Sequence, residues 1–91
     1  MLVQGRRFYV KELKKDLTID GLQERYDESN PFMLCEIIEV GRGLDSAVEY
    51  QNPEDKVLLT SRGNKIPFRG GYFVEEQYVL AVFTREEYNN L

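Results

Sequence analysis

The apolar runs of this chain are short, and turn signals cut them off at close intervals. Met33–Val40 ends at Gly41-Arg42-Gly43. Lys56–Thr60 lies between Asn52-Pro53-Glu54-Asp55 and Ser61-Arg62-Gly63-Asn64. Lys65–Phe68 runs up to Gly70-Gly71, a two-residue hairpin signal that leads into Tyr72-Phe73-Val74. Arg7–Val10 is an aromatic and β-branched run ahead of these, and Ala47–Tyr50 is a short candidate strand. Many short strands with frequent turns predict an all-β fold, a small, irregular, partly open β-barrel. Pro67 has no N–H to give a ladder, so its strand is expected at an edge or a bulge. Glu75-Glu76-Gln77 reads as a turn. Tyr78–Phe83 is continuously apolar, which predicts a strand covered on both faces. Thr84-Arg85-Glu86-Glu87 matches a capping box, so the tail 84–91 is expected to begin with one helical turn.

One stretch breaks this rhythm. DLTIDGLQERYDESNP, from Asp16 to Pro31, sets Asp16, Asp20, Glu24, Asp27 and Glu28 against the single base Arg25. A connection this long inside a small domain is usually functional or disordered. As a helix it places Ile19, Leu22 and Tyr26 on one stripe, while Leu13 and Leu17 point roughly the opposite way. Gly21 costs about 1 kcal/mol in a helix interior. Asp20 with Gln23 can cap a shorter helix starting at Leu22, and Asn30-Pro31 ends any helix there. The stretch is therefore either a partial helix or a mobile arm.

A chain of 91 residues is expected to be one domain, with a modest core that assembly with other copies would enlarge. No apolar run approaches the ~20 residues of a membrane span, and the start MLVQGRRFYV lacks a signal peptide's long apolar region. Cytoplasmic residence is the expectation. The net charge of −4 and pI of about 4.8 disfavour non-specific nucleic-acid binding. The charge is uneven: Arg6, Arg7, Lys11, Lys14 and Lys15 make the first part basic, and the stretch after it is acidic.

The residue inventory argues against catalysis. There is no histidine, so the commonest general base and metal ligand is missing. Cys35 is the single cysteine, with no Cys or His to complete a zinc site or a thiol dyad, and its apolar setting MLCEIIEV suits a small buried thiol. The pairs Glu54-Asp55, Glu75-Glu76 and Glu86-Glu87 are sequence neighbours, which point to opposite faces of a strand and form no dyad by themselves. The expectation is a protein that is not an enzyme and needs neither cofactor nor metal.

Four segments, in order, carry a family resemblance. GRRFYVKE (Gly5–Glu12) looks like the first strand of the GroES-type co-chaperonins, the small lids of the chaperonin cage. CEIIEVGRG (Cys35–Gly43) looks like that family's strand and glycine turn. NPEDKVLL (Asn52–Leu59) resembles its next strand, with Glu54 where the family has Gly. NKIPFRGGYFVEEQYVLAVF (Asn64–Phe83) is similar to the closing hairpin and strand, and Ala81-Val82 is its most specific part. Leu44-Asp45-Ser46-Ala47 is too short for the family's roof hairpin, which resembles phage-encoded members that lack the roof and so allow a larger cage.

The resemblance implies an irregular barrel assembled into a heptamer, a ring that closes a nucleotide-bound GroEL-type chaperonin over an unfolded client. It implies that residues 16–31 are the mobile loop and that Ile19, Asp20, Gly21 and Leu22 contact the chaperonin. The family has three apolar residues in a row there, whereas here Leu22 is followed by Gln23 and Glu24. One or two anchors bury about 2–5 kcal/mol of apolar side chain per arm, which seven arms could multiply. It also implies that Phe8 and Val10 of one copy pair with Val79, Leu80 and Val82 of the next. A phage-encoded member would act in the host cytoplasm.

Two rivals come from other classes. Phe8–Leu13 and Arg69–Val74 partly resemble the two motifs of RNA-recognition domains, with a helix at 18–28 between strands. Only 17 residues follow Val74, which leaves little room for that fold's second helix and fourth strand. The other rival is a viral β-barrel adaptor with no chaperone role and no use for Ile19 and Leu22.

Overall fold

The computed structural model describes residues 1–14, 17–19, 22–24 and 28–90. The strands are β1 (Arg7–Glu12), β2 (Leu17–Ile19), β3 (Leu22–Glu24), β4 (Phe32–Val40), β5 (Lys56–Ser61), β6 (Lys65–Phe68), β7 (Gly71–Glu75) and β8 (Val79–Thr84), followed by the short helix α1 (Arg85–Asn89). Six of them form one antiparallel sheet in the order β6-β7-β1-β4-β5-β8, and β2 and β3 pair separately. The fold is all-β, and the sheet does not close. No helix among the described residues is long and apolar enough to cross a membrane.

Alternation decides which face is inside. Phe8 and Val10 of β1 are fully buried, as are Cys35 of β4, Leu58 of β5 and, within a percent or so, Val74 of β7. With Met33, Ile37, Leu44 and Tyr50 they form the main core. The rings of Phe8 and Tyr50 meet edge-on at 4.8 Å. Two bulges bend the sheet. One sits where Tyr9 pairs with Glu39 but Val10 pairs with Ile37, which leaves Ile38 over. The other sits where Leu59 pairs with Ala81 but Thr60 pairs with Val79, which leaves Leu80 over.

The glycine turn after β4 is shaped by close backbone approach. The Gly41 N–H donates to the Arg7 carbonyl at 2.7 Å, and the N–H groups of Arg42 and Gly43 donate to the carbonyls of Val3 and Gly5. A Cβ on Gly41 would lie 2.3 Å from the Arg7 oxygen and 2.4 Å from that of Gly5. The N-terminal segment is thereby laced to the turn, with Val3 buried.

Several expected elements are confirmed and several are corrected. The capping box is present: the Glu87 N–H donates to Thr84 Oγ1 at 3.1 Å, and the Thr84 N–H donates to Glu87 Oε1 at 3.0 Å. Pro67 does lie in an edge strand. Ala47–Tyr50 is no strand. Val48–Tyr50 is a 3-10 turn closed by the Tyr50 N–H on the Ala47 carbonyl, and it delivers Tyr50 to the core. The hairpin loop is Arg69-Gly70, with φ of 49° and 81°, rather than Gly70-Gly71. Gly71 is instead a packing position, since a Cβ there would lie 2.6 Å from the Val10 carbonyl. The closing apolar strand is not covered on both faces. It is a half-buried edge strand whose bulged residue Leu80 is 63% exposed.

The helical alternative for the acidic stretch is also corrected where the chain is described. Leu17–Ile19 and Leu22–Glu24 are antiparallel strands, with Leu17 opposite Glu24 and Ile19 opposite Leu22. In sequence, Asp-Gly is a two-residue hairpin signal, and Thr18 and Ile19 are β-branched; these preferences outweigh a weak helical stripe.

A candidate binding arm and two sheet edges

The β2–β3 pair interrupts the chain between β1 and β4, two strands that are neighbours in the main sheet. Of the expected chaperonin contacts, Ile19 and Leu22 are the innermost register partners of the pair. Asp20 and Gly21 lie outside the described residues. The segment is thus a hairpin arm spliced into the barrel, its backbone pairing only with itself among the described residues.

Among the described residues, the Arg62 side chain reaches both sides of the arm's root. Arg62 follows β5, and the β4–β5 pairing brings it beside the strand ends that border the arm, Phe32 being opposite Ser61. Its Nη1 meets Glu12 Oε2 at 2.9 Å, at the end of β1 where the chain leaves the sheet. Its Nε donates to the Asn30 carbonyl at 2.8 Å and its Nη2 to the Phe32 carbonyl at 3.1 Å, where the chain returns. The Arg62 backbone N–H donates to the Pro31 carbonyl at 2.9 Å. The side chains of Arg62 and Glu12 are only 14% and 5% exposed. The sequence offers Arg62 only as a turn residue, because its partners are 50 and about 30 positions away and the strand pairing alone brings them together.

The proposed contact residues between copies separate into two groups. Phe8 and Val10 are wholly inside this chain's own core, and β1 is paired with β7 on one side and β4 on the other. Over Phe8–Val10 both edges of that strand are taken up within this chain. Val79 and Val82 pack against the core, and Leu80 projects from the bulge. The outer edge of β8 pairs with no strand among the described residues.

The other outer edge, that of β6, is chemically different. Phe68 pairs with Gly71 across the two-residue loop, a narrow hydrogen-bonded pair, so the next position, Pro67, turns its nitrogen outward. That edge therefore lacks a donor at its centre and carries Lys65 beside it, two devices that blunt strand addition. From Val79 to Thr84 the β8 edge has neither a proline nor a charge.

On the outer sheet face Tyr9, Phe68 and Phe73 cluster, with ring centres 5.2 to 6.3 Å apart. The Tyr9 hydroxyl donates to the Phe68 carbonyl at 2.8 Å, which ties it to the β6–β7 hairpin. Across the sheet, Arg6 and Tyr50 converge on the Glu76 carboxylate. Cys35 is fully buried, and burial pushes its thiol up to about 12, against a smaller opposing effect of Thr60. Such a thiol is no nucleophile at neutral pH. No group of His, Cys, Asp and Glu among the described residues is arranged to hold a metal ion.

Compared with known proteins, the chain matches no family model, no curated protein and no solved structure.

Proposed function

We propose that the chain is a co-chaperonin, an oligomeric lid that docks on a nucleotide-bound GroEL-type chaperonin through the β2–β3 arm and encloses a client for folding. The observation that carries this reading is the arm itself: a separate two-stranded hairpin set between adjacent strands of a small barrel, with positions 19 and 22 opposite one another at its innermost pair. It has the place and length of the loop by which the family in the resemblance binds its partner. Ile19 and Leu22 supply the apolar contact, and Gly21 the backbone freedom of the turn. The ring is sevenfold, and the missing roof hairpin points to a phage-encoded member working in the host cytoplasm.

Assembly runs through the β8 edge. With Phe8 and Val10 committed to the core, the segment of the next copy that reaches this edge is its N-terminus, where Met1 and Leu2 are exposed and belong to no strand of their own chain. Solution mass with and without chaperonin and nucleotide tests the lid. A monomer that also fails to bind overturns it. Within it, Leu22→Asp abolishes chaperonin binding and leaves the ring assembled; survival of binding removes the arm from the site.

Binding of single-stranded nucleic acid is a second reading, favoured by the half-buried aromatic cluster on the outer sheet face, with Arg69 over the exposed Phe68 ring at 5.2 Å. It would not proceed by an RNA-recognition fold, since the α-helix among the described residues is only the five-residue α1 after the last strand. Salt-sensitive retention of labelled oligonucleotides, lost on Tyr9→Ala, distinguishes this reading from the lid.

A further inference from the structure

We propose that Arg62 is the positioning residue of the arm, and that its planar fork, rather than its charge alone, couples the arm to the barrel. This deepens the lid reading and rests on it for the binding consequence, although the coupling itself does not. One guanidinium grips both ends of the excursion: Glu12 at 2.9 Å where the chain leaves the sheet, and the Asn30 and Phe32 carbonyls at 2.8 and 3.1 Å where it returns. Two N–H groups, on Nε and Nη2, donate to the carbonyls, while Nη1 lies in ion-pair contact with the carboxylate, so all three nitrogens are engaged in different directions. A lysine ammonium is a point charge on a flexible stem and cannot span three such acceptors. The main chain completes the root, with the Arg62 N–H on the Pro31 carbonyl and the Leu13 N–H on the Leu34 carbonyl at 2.8 Å. A root whose two ends are fixed in this way has less freedom to lose on docking.

The test is Arg62→Lys in the full-length chain. It keeps the charge against Glu12 and removes the fork. Amide hydrogen exchange at Leu13 and at position 62 is expected to speed up about tenfold or more, the effect of losing one hydrogen bond to a charged group. Exchange at Phe8 and Ile37, in the central strands, stays unchanged. Equal protection at the root, or a rise of the same size throughout the chain, overturns the proposal. Should Arg62→Lys not fold, Glu12→Gln decides by the same readout: faster exchange confined to Leu13 supports the coupling, and a uniform rise or none overturns it. Chaperonin binding is read separately, with about tenfold weaker affinity expected for Arg62→Lys at unchanged ring mass. If the unaltered chain binds no chaperonin, the lid fails while the exchange result still stands or falls alone. If it binds, and a loosened root leaves affinity unchanged, the positioning role is overturned.

Discussion

The Tyr50 hydroxyl donates to the Glu76 carboxylate at 3.0 Å, and the other oxygen of that carboxylate accepts from Arg6 Nε at 2.9 Å. Burial, reinforced by Glu76, pushes Tyr50 up to about 12 from 10.0, and burial pushes Cys35 up to about 12 from 9.0. Both groups keep their protons in the folded state beyond the pH at which the unfolded chain releases them. Their contribution to stability is complete below about pH 9 and declines as the pH rises towards 12. Urea unfolding from about pH 8 to about pH 11 should show falling stability, and Tyr50→Phe should give a shallower fall. An unchanged slope in the variant would remove Tyr50 from the account.

Gly41→Ala tests the glycine turn. Its Cβ would fall within 2.4 Å of two carbonyl oxygens, and both belong to backbone that cannot swing aside. A loss of about 1–3 kcal/mol is expected in chemical denaturation. Gly63→Ala is the control: nothing lies within 4 Å of its Cβ position, and the change should stay within about 0.5 kcal/mol.

Leu80→Glu tests the β8 edge. Leu80 is bulged outward and 63% exposed in the single chain, so the barrel should lose little stability, within about 0.5 kcal/mol. If β8 joins copies, light scattering should show a smaller assembly. An unchanged mass with an intact fold would move the joint elsewhere.

Cys35 should resist thiol reagents in the native state and react only through opening of the sheet, because it is fully buried on a central strand. Its modification rate should rise with denaturant along the unfolding curve. Fast labelling in buffer alone would contradict its place in the core.

The strands were legible because each is a short β-branched or aromatic run between turn residues, as in Arg7–Val10 and Lys56–Thr60. The Thr84–Glu87 box was legible because capping is a local hydrogen-bond pattern. What failed was non-local. Tyr50 sits in a 3-10 turn because the core accepts its ring against Phe8, which no property of Ala47–Tyr50 announces. The loop moved to Arg69-Gly70 because Gly71 is needed under Tyr9 and Val10, a contact sixty residues away in sequence. The arm was legible as an interruption but not as strands, since two three-residue segments carry little periodicity. Its holder, Arg62, was invisible for the same reason as Gly71: only the pairing of β4 with β5 gives it work.

The outward-turned nitrogen of Pro67 has a consequence for how these molecules meet in a crowded cell. A sheet with two receptive borders is a link, and links make chains without end. With one border closed, sheets cannot add border to border without end. The residue that spoils the β6 ladder thus gives the molecule a polarity, a side that accepts and a side that refuses, and keeps a small sheet with an apolar margin from becoming a fibre.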